Sequence, residues 1–178
     1  MLTLRPGLAT AAAAVLATGL TIAATTGSSS AATAVPAAPP VIGGATMHTT
    51  SVNLMPSGAW VSAPLSVYLP RAGTYELDAN VRGRLANAST VNTYIVARLL
   101  NSRTNAPVPY SQRLVYQVIS STPAGGNNTA PIDEWVTVSG PATITLQAQD
   151  TNAVGTATIA QIYSDANGYT TLRWHRVS

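Results

Sequence analysis

The segment that decides the class of fold is TYELDANVRGRL, residues 74–85, in which apolar and polar residues alternate. In an extended chain, Tyr75, Leu77, Ala79 and Val81 point to one side, and the polar residues between them point to the other. This segment is therefore predicted to be a β-strand with one face in a core and the other face in water.

The same period of two recurs along the chain between turns rich in Gly, Pro, Asn and Ser, and no stretch has apolar residues at helical spacing. The other predicted strands are residues 46–54, 65–69, 91–100, 108–119, 134–139, 142–149, 156–163 and 169–177. Residues 120–131 are predicted to be the longest loop, and residues 150–155 a turn. About nine to ten strands in this pattern predict an all-β fold, an antiparallel β-sandwich of the jelly-roll type.

The predicted domain follows a segment typical of exported proteins. Residues 1–34 are predicted to be a signal peptide, with an apolar run and the small-x-small cleavage pattern Ala32-Thr33-Ala34. The alternative is an uncleaved membrane anchor, because the run approaches the roughly 20 residues that span a bilayer. Residues 35–44 are predicted to be a Pro/Gly linker, and residues 45–178 the sandwich domain. We expect a secreted, extracellular protein that has no membrane contact after cleavage.

The composition excludes several classes of function. The chain of 178 residues has no cysteine, which excludes disulfides, thiolate catalysis and cysteine-ligated zinc. Charged residues make up 8% of the chain, and the formal net charge is +3. Because the basic residues, all arginine, are interleaved with acidic ones, they form no basic patch in the sequence, and no nucleic-acid partner is expected.

Few residues are candidates for catalysis or metal binding. The histidines His48 and His175 lie in the first and last predicted strands and would be neighbours if those strands pair. Two histidines are too few for a three-histidine metal site, and packed or exposed histidines are the favoured interpretation. No Gly-x-Ser-x-Gly pentapeptide is present. We therefore expect a protein that is not an enzyme and that uses no metal or other cofactor.

Two tryptophans and two acidic residues are the candidate ligand-binding residues. Trp60 follows the Pro56-Ser57-Gly58 turn, and Trp135 follows the predicted long loop. Flat aromatic side chains outside a core stack on sugar rings or anchor protein interfaces. Asp133 and Glu134 precede Trp135, where acids, an aromatic residue and a flexible segment meet. The alternative for all four is an ordinary structural role, because sandwiches commonly bury aromatics and expose acids.

The strand predicted over residues 91–100 is apolar on both sides. This pattern is typical of a central strand or of a strand beneath a subunit contact. Val96 and Leu100 lie on the side that would otherwise be exposed apolar surface. They are therefore the candidate interface residues.

Two short segments resemble the C1q and tumour-necrosis-factor-like jelly-roll superfamily. In residues 69–77, LPRAGTYEL, a Pro is followed by a Gly-x-Tyr step into a long strand, as in that family. The segment GYTTLRW, residues 168–174, is similar to the family's closing hairpin. The resemblance implies a compact, non-catalytic homotrimer with ligand contacts on loops at one end or along subunit seams. In bacteria, such domains are often carried on exported or surface-displayed chains.

The sequence thus favours a secreted, non-catalytic recognition or structural domain, a homotrimer that binds an unidentified extracellular protein or glycan. The alternative is a monomeric carbohydrate-binding module that uses exposed Trp and Tyr side chains, which predicts aromatics coplanar on one face. A small secreted hydrolase or inhibitor ranks last, because no convergent polar constellation is visible in the sequence. Loss of an activity on substitution of Asp133 or Glu134 would support that third hypothesis.

Overall fold

The structure, a computed structural model, describes residues 41–178, which form an antiparallel β-sandwich of two sheets. Its strands are β1 (Ile42–Thr46), β2 (Thr50–Asn53), β3 (Val61–Leu69), β4 (Gly73–Asn87), β5 (Val91–Asn101), β6 (Ala106–Pro107), β7 (Arg113–Ser120), β8 (Ala124–Val138), β9 (Ala142–Val154), β10 (Ile159–Ser164) and β11 (Thr171–Arg176). The predicted all-β sandwich is confirmed. The predicted signal peptide and residues 35–40 of the predicted linker lie outside the described residues. Among residues 41–178 there is no helix that could cross a membrane.

The first sheet, sheet A, is built around β4. Strand β8 pairs with one edge of β4 along its full length, while β11 and β10 share the other edge. Beyond them, β1 pairs with β11, and β2 pairs with β10. The second sheet, sheet B, has the order β3-β9-β5, and both β7 and the short β6 pair with the remaining edge of β5.

The strand pairs are nested in the sequence, which defines the topology. The pairs are β1 with β11, β3 with β9, β4 with β8 and β5 with β7. Successive long strands also change sheet, since β3 is in sheet B, β4 in sheet A and β5 in sheet B. A hairpin folded over itself in this way is the double-sheet jelly roll. The strand pairing alone therefore identifies the topology as a jelly roll.

The core between the sheets is formed by the alternating apolar residues that the sequence singled out. Tyr75, Leu77, Ala79 and Val81 of β4 are fully buried. The Tyr75 ring meets the Trp174 ring edge-on, with centroids 5.4 Å apart, and its hydroxyl donates a hydrogen bond of 2.9 Å to the Arg71 carbonyl. Burial of each such large side chain stabilises the fold by about 1.5–3 kcal/mol.

The prediction of a long loop at residues 120–131 is wrong, because β8 begins at Ala124 and pairs with β4 throughout. Gly125 lies opposite Ala86, and a Cβ on Gly125 would come within 2.8 Å of the Leu85 carbonyl oxygen. Gly125 therefore allows β8 and β4 to approach closely at this position. The same composition in isolation predicts a loop.

Other boundaries also differ from the predicted ones. Strand β1 begins at Ile42, before the predicted domain start at Ala45, because the side chain of Trp174 packs directly on the backbone of Gly43. The single strand predicted over residues 46–54 is divided into β1 and β2. Strand β9 extends to Val154, through most of the predicted turn at residues 150–155.

Candidate functional site

The outward-facing sides of the two sheets differ in charge. In sheet A, the outward side carries half of the Arg, Asp and Glu residues of the described chain together with one histidine, and we call it the charged face: Glu76, Asp78, Arg82, Arg84, Asp133, Asp165, Arg173 and His175. In sheet B, the outward side carries mainly aromatic, aliphatic and uncharged polar residues. We call it the neutral face, and its large side chains are Trp60, Tyr68, Tyr94, Val96, Arg98, Leu100 and Leu114.

The predicted interface residues Val96 and Leu100 both lie on the neutral face. Val96 lies opposite Leu114 of β7 on one side and Gln149 of β9 on the other. Leu114 is 53% exposed, and Val96 and Leu100 are half-buried. The side of β5 that carries Val96 and Leu100 thus faces outward, in the middle of sheet B.

The candidate Trp60 is part of the same face. The Arg98 guanidinium lies 3.8 Å from the centre of the Trp60 ring, a cation–π contact that covers one side of the indole. Arg98 donates from Nε to Gln147 Oε1 at 3.0 Å, and Gln147 donates to Ser62 Oγ at 3.2 Å. Burial lowers the pKa of Arg98, which still stays charged at neutral pH.

The three consecutive candidates of β8 point in alternate directions. Asp133 and Trp135 are exposed on the charged face, where Asp133 lies opposite Asp78 and Trp135 lies opposite Glu76. Glu134 points the other way, into the gap between the sheets. Its Oε1 atom lies 2.5 Å from Nη2 of Arg113 on β7, so this pair links sheet A to sheet B. The two acids that the sequence grouped together therefore do not form a carboxylate pair.

Other predicted neighbours are also separated. Trp60 lies on sheet B and Trp135 on sheet A, so these two tryptophans do not form one aromatic platform. His175 lies opposite Ile42 at the start of β1, whereas His48 follows Thr46 at its end. Pairing of the first and last strands therefore does not bring the histidines together. Within residues 41–178, no three His, Asp or Glu side chains are grouped so as to hold a metal ion.

A cluster that the sequence analysis missed lies at the far end of the charged face. The guanidinium carbons of Arg82 and Arg84 lie 4.4 and 4.2 Å from the centre of the Tyr163 ring. Arg82 also donates to Asp165 Oδ1 at 2.7 Å, to the Tyr163 hydroxyl at 3.0 Å and to the Gly168 carbonyl. The Arg82 hydrogen bond lowers the pKa of Asp165, so this carboxyl is ionised at neutral pH.

These residues border an open cavity of about 420 Å³, which we call the arginine cleft. It is lined by Arg82, Asn127, Asn128, Thr129, Tyr163, Asp165 and Asn167, and Arg84 lies on its rim. Arg82 and Arg84 are two residues apart on one strand, so the sequence alone could have placed both arginines on the same side of β4. The rest of the cleft comes mainly from β8 and from the 165–168 hairpin, which only the sheet topology brings alongside.

Asp150 was predicted to lie in a turn, but it is a buried residue of β9 that faces the core. Neither of its carboxyl oxygens makes a well-formed hydrogen bond within the described part of the chain, and the backbone of Thr151 offsets only part of the effect of burial. Burial therefore raises the pKa of Asp150 above its ordinary value. Its backbone carbonyl accepts hydrogen bonds from Gly58 N–H at 2.8 Å and from the Ser57 hydroxyl at 3.1 Å, so the 56–58 turn covers this end of β9.

Comparisons with known proteins add structural likenesses of low similarity. No protein-family model and no curated protein matches the sequence. Among 61 matching chains of solved structures, a mutant VP2 protein of infectious bursal disease virus in T=1 particles has a TM-score of 0.45 and 12% identity. That match covers 76% of this chain and 31% of VP2, so the chain spans about a third of VP2. Eiger TNF from S. frugiperda has a TM-score of 0.36 and 11% identity, over 78% of this chain and 94% of that one.

The strand pairing defines the class of this protein as a jelly-roll β-sandwich. Membership of the C1q and tumour-necrosis-factor-like superfamily stays a prediction from the two sequence segments. The candidate functional surfaces of this sandwich are the neutral face of sheet B and the arginine cleft of sheet A.

Proposed function

We propose that this protein is an exported, non-catalytic recognition or structural domain that assembles with copies of itself, as a homotrimer, through the neutral face of sheet B. The proposed export follows from the predicted signal peptide, and the number of three follows from the family resemblance. The observation that carries the proposal is the contrast in charge between the two outward-facing sides of the sandwich.

The composition of the neutral face fits a protein interface. The cores of such interfaces are depleted in charged residues and enriched in aromatic residues and arginine. The face offers Leu114 at 53% exposure and Tyr68 at 59% exposure, together with Val96 and Leu100. Its charged side chain, Arg98, is already stacked on Trp60 and hydrogen-bonded to Gln147. A second copy would therefore bury apolar area while the Arg98 guanidinium keeps its cation–π contact and its hydrogen bond to Gln147.

The charged face is less suited to burial against a second copy. Asp133 and Asp78 lie directly opposite one another on neighbouring strands, and like charges in that arrangement destabilise a sheet even in water. Burial of these carboxylates in a contact without cations would increase that cost. We therefore assign self-association to sheet B and leave sheet A facing solvent.

The carbohydrate-binding alternative predicted aromatics coplanar on one face. Trp60 and Trp135 lie on different sheets, and one side of the Trp60 ring is covered by Arg98. The pair therefore does not provide the platform that this alternative requires, and self-association is the better supported function.

The test is the molar mass of the protein in solution, measured by light scattering across a dilution series. We expect three times the monomer mass, retained on dilution. Val96→Glu and Leu100→Glu should each give a folded monomer, because a carboxylate on the neutral face would have to be removed from water in the contact. The matched control is Asn80→Glu, which places the same charge on the charged face and should leave the mass unchanged.

Two results would contradict the proposal. A wild-type protein that is monomeric at all concentrations would exclude self-association. A trimer that both neutral-face variants leave intact, with unchanged far-UV circular dichroism, would place the contact elsewhere on the molecule.

A further inference from the structure

The arginine cleft contains cations that are held rigidly before any ligand arrives. Tyr163 is 2% exposed, and the guanidinium groups of Arg82 and Arg84 both pack on its ring. Arg84 is fixed further by its Nε, which donates to Asn127 Oδ1 at 3.0 Å. A ligand would therefore meet oriented donors and would not have to order two flexible side chains, which lowers the cost of binding.

The rim of the cleft also contains a hydrogen-bond donor and an acceptor that are too far apart to form a hydrogen bond with each other. Arg84 Nη2 and Asp165 Oδ2 are 3.8 Å apart, which is beyond hydrogen-bond distance. The other carboxyl oxygen of Asp165, Oδ1, accepts from Arg82 and from the backbone N–H of Asn167. A hydroxyl group between Arg84 and Asp165 could accept from the guanidinium and donate to Oδ2.

The remaining lining side chains offer both donors and acceptors. The Asn127 amide nitrogen, the Thr129 hydroxyl and the Asn167 side chain make no hydrogen bond with other described residues. The Asn128 side chain points the other way, into the gap between the sheets, where its amide nitrogen donates to the Val115 carbonyl at 2.8 Å. Uncharged groups of both kinds thus surround the Arg84–Asp165 pair.

This mixture of groups selects the chemistry of the ligand. An anion such as phosphate would lie beside the ionised Asp165, which would repel it. An apolar ligand would find little apolar surface, because the Tyr163 ring is covered by the two arginines. A neutral molecule with adjacent hydroxyl groups can donate to Asp165 and accept from Arg84 at the same time. The volume of about 420 Å³ is within the ~300–1,000 Å³ of small-molecule sites.

We infer that the arginine cleft binds a neutral sugar residue, with adjacent hydroxyl groups held by the side chains of Arg84 and Asp165 and by the surrounding asparagine amides. The inference rests on the proposed function, since it assigns a glycan ligand to the proposed recognition domain. It differs from an aromatic stacking platform, because the cleft recognises hydroxyl groups and leaves Trp60 and Trp135 uninvolved.

The experiment is an NMR titration of the full chain with mannose, galactose and N-acetylglucosamine, and with glucuronate and inorganic phosphate as anionic probes. We expect at least one neutral sugar to shift the backbone amide signals of residues 127–129 and 163–168. Arg84→Gln should weaken that binding about tenfold or more, since it removes donors of charge-assisted hydrogen bonds. Arg173→Gln is the matched control, because it removes an arginine from the same face outside the cleft, and it should leave the affinity unchanged.

Three outcomes would overturn the inference: no neutral sugar binds, the signals that move lie outside the cleft, or only glucuronate and phosphate bind. Circular dichroism of Arg84→Gln checks that the variant is folded. Light scattering on the same samples distinguishes sugar binding by the cleft from self-association through the neutral face. Absence of sugar binding with a trimeric molar mass would contradict only the inference about the cleft. A monomeric protein that still binds the sugar would contradict self-association alone.

Discussion

Glu134 of sheet A and Arg113 of sheet B form an ion pair across the open edge of the sandwich, with 2.5 Å between Oε1 and Nη2. The Glu134 side chain is 16% exposed, so the carboxylate is largely removed from water. Its neighbour Asp133 points outward, towards Asp78. Two consecutive acids therefore lie in opposite electrostatic environments on the same strand.

Glu134→Gln is expected to lower the free energy of unfolding by about 1–2 kcal/mol, because it removes a charge-assisted hydrogen bond between the sheets. Asp133→Asn should change that free energy by less than about 0.5 kcal/mol, or raise it, because it relieves the repulsion with Asp78. Urea denaturation of both variants measures the difference. Equal effects of the two substitutions would refute the assigned roles.

Asp150→Asn is expected to stabilise the protein at neutral pH. The pKa of Asp150 is raised in the folded state, so the unfolded chain ionises first as the pH increases. The wild-type protein therefore loses stability relative to the variant as the pH rises from the ordinary aspartate pKa to the raised pKa of Asp150 in the folded state. At higher pH, the difference in unfolding free energy between the two proteins is constant. Unfolding free energies of both proteins, measured from pH 3 to pH 8, give this difference.

In that comparison, the other acidic groups are common to both proteins, so their contributions cancel. A difference that does not change with pH, or one that favours the wild-type protein at high pH, would show that Asp150 has a partner when ionised.

Arg82→Gln is expected to raise the pKa of Asp165, which Arg82 lowers chiefly through a hydrogen bond of 2.7 Å. In the wild-type protein, this interaction stabilises the fold above the ordinary aspartate pKa and is lost as the pH falls through the lowered value. A pH titration of the Asp165 carboxyl signal by NMR measures the change. Arg173→Gln should leave the Asp165 titration where it is, and a shift of equal size in that control would contradict a specific contact.

Gly125→Ala is expected to destabilise the protein by about 1–3 kcal/mol, because the new methyl group would lie 2.8 Å from the Leu85 carbonyl oxygen on the neighbouring strand. Gly44→Ala is the comparison, since its methyl group would meet the flexible Arg173 side chain at 3.0 Å, on an outer strand. Thermal unfolding of both variants should show the larger loss for Gly125→Ala. A Gly125→Ala protein as stable as the wild type would mean that β4 and β8 are not paired as described at this position.

Much of the core could be predicted from the sequence, because a strand imposes a period of two on its own residues. Tyr75, Leu77, Ala79 and Val81 alternate with polar residues, and the alternation alone identifies the buried side. The same local rule places Val96 and Leu100 together on one side of β5. These predictions needed no information about neighbouring strands.

The order of the strands, and thus the partners of each residue, was decided by tertiary structure. Residues 124–131 have the composition of a loop, yet they form a strand because they pair with β4 residue by residue. Arg82 and Arg84 stand beside Asp165 and Asn127 only because β8 and the 165–168 hairpin flank β4. Contacts of this kind join residues far apart in the sequence, so no local pattern contains them.

The sequence by itself thus determined the all-β class, the alternating core and the low charge of the domain, since each depends on residue type and on the two-residue period of a strand. Tertiary structure alone decided that Glu134 meets Arg113 of the other sheet, that Asp133 meets Asp78, and that a polar cleft forms beside Tyr163. The physical reason is that a strand determines the direction of its own side chains, whereas the pairing of strands determines what those side chains meet.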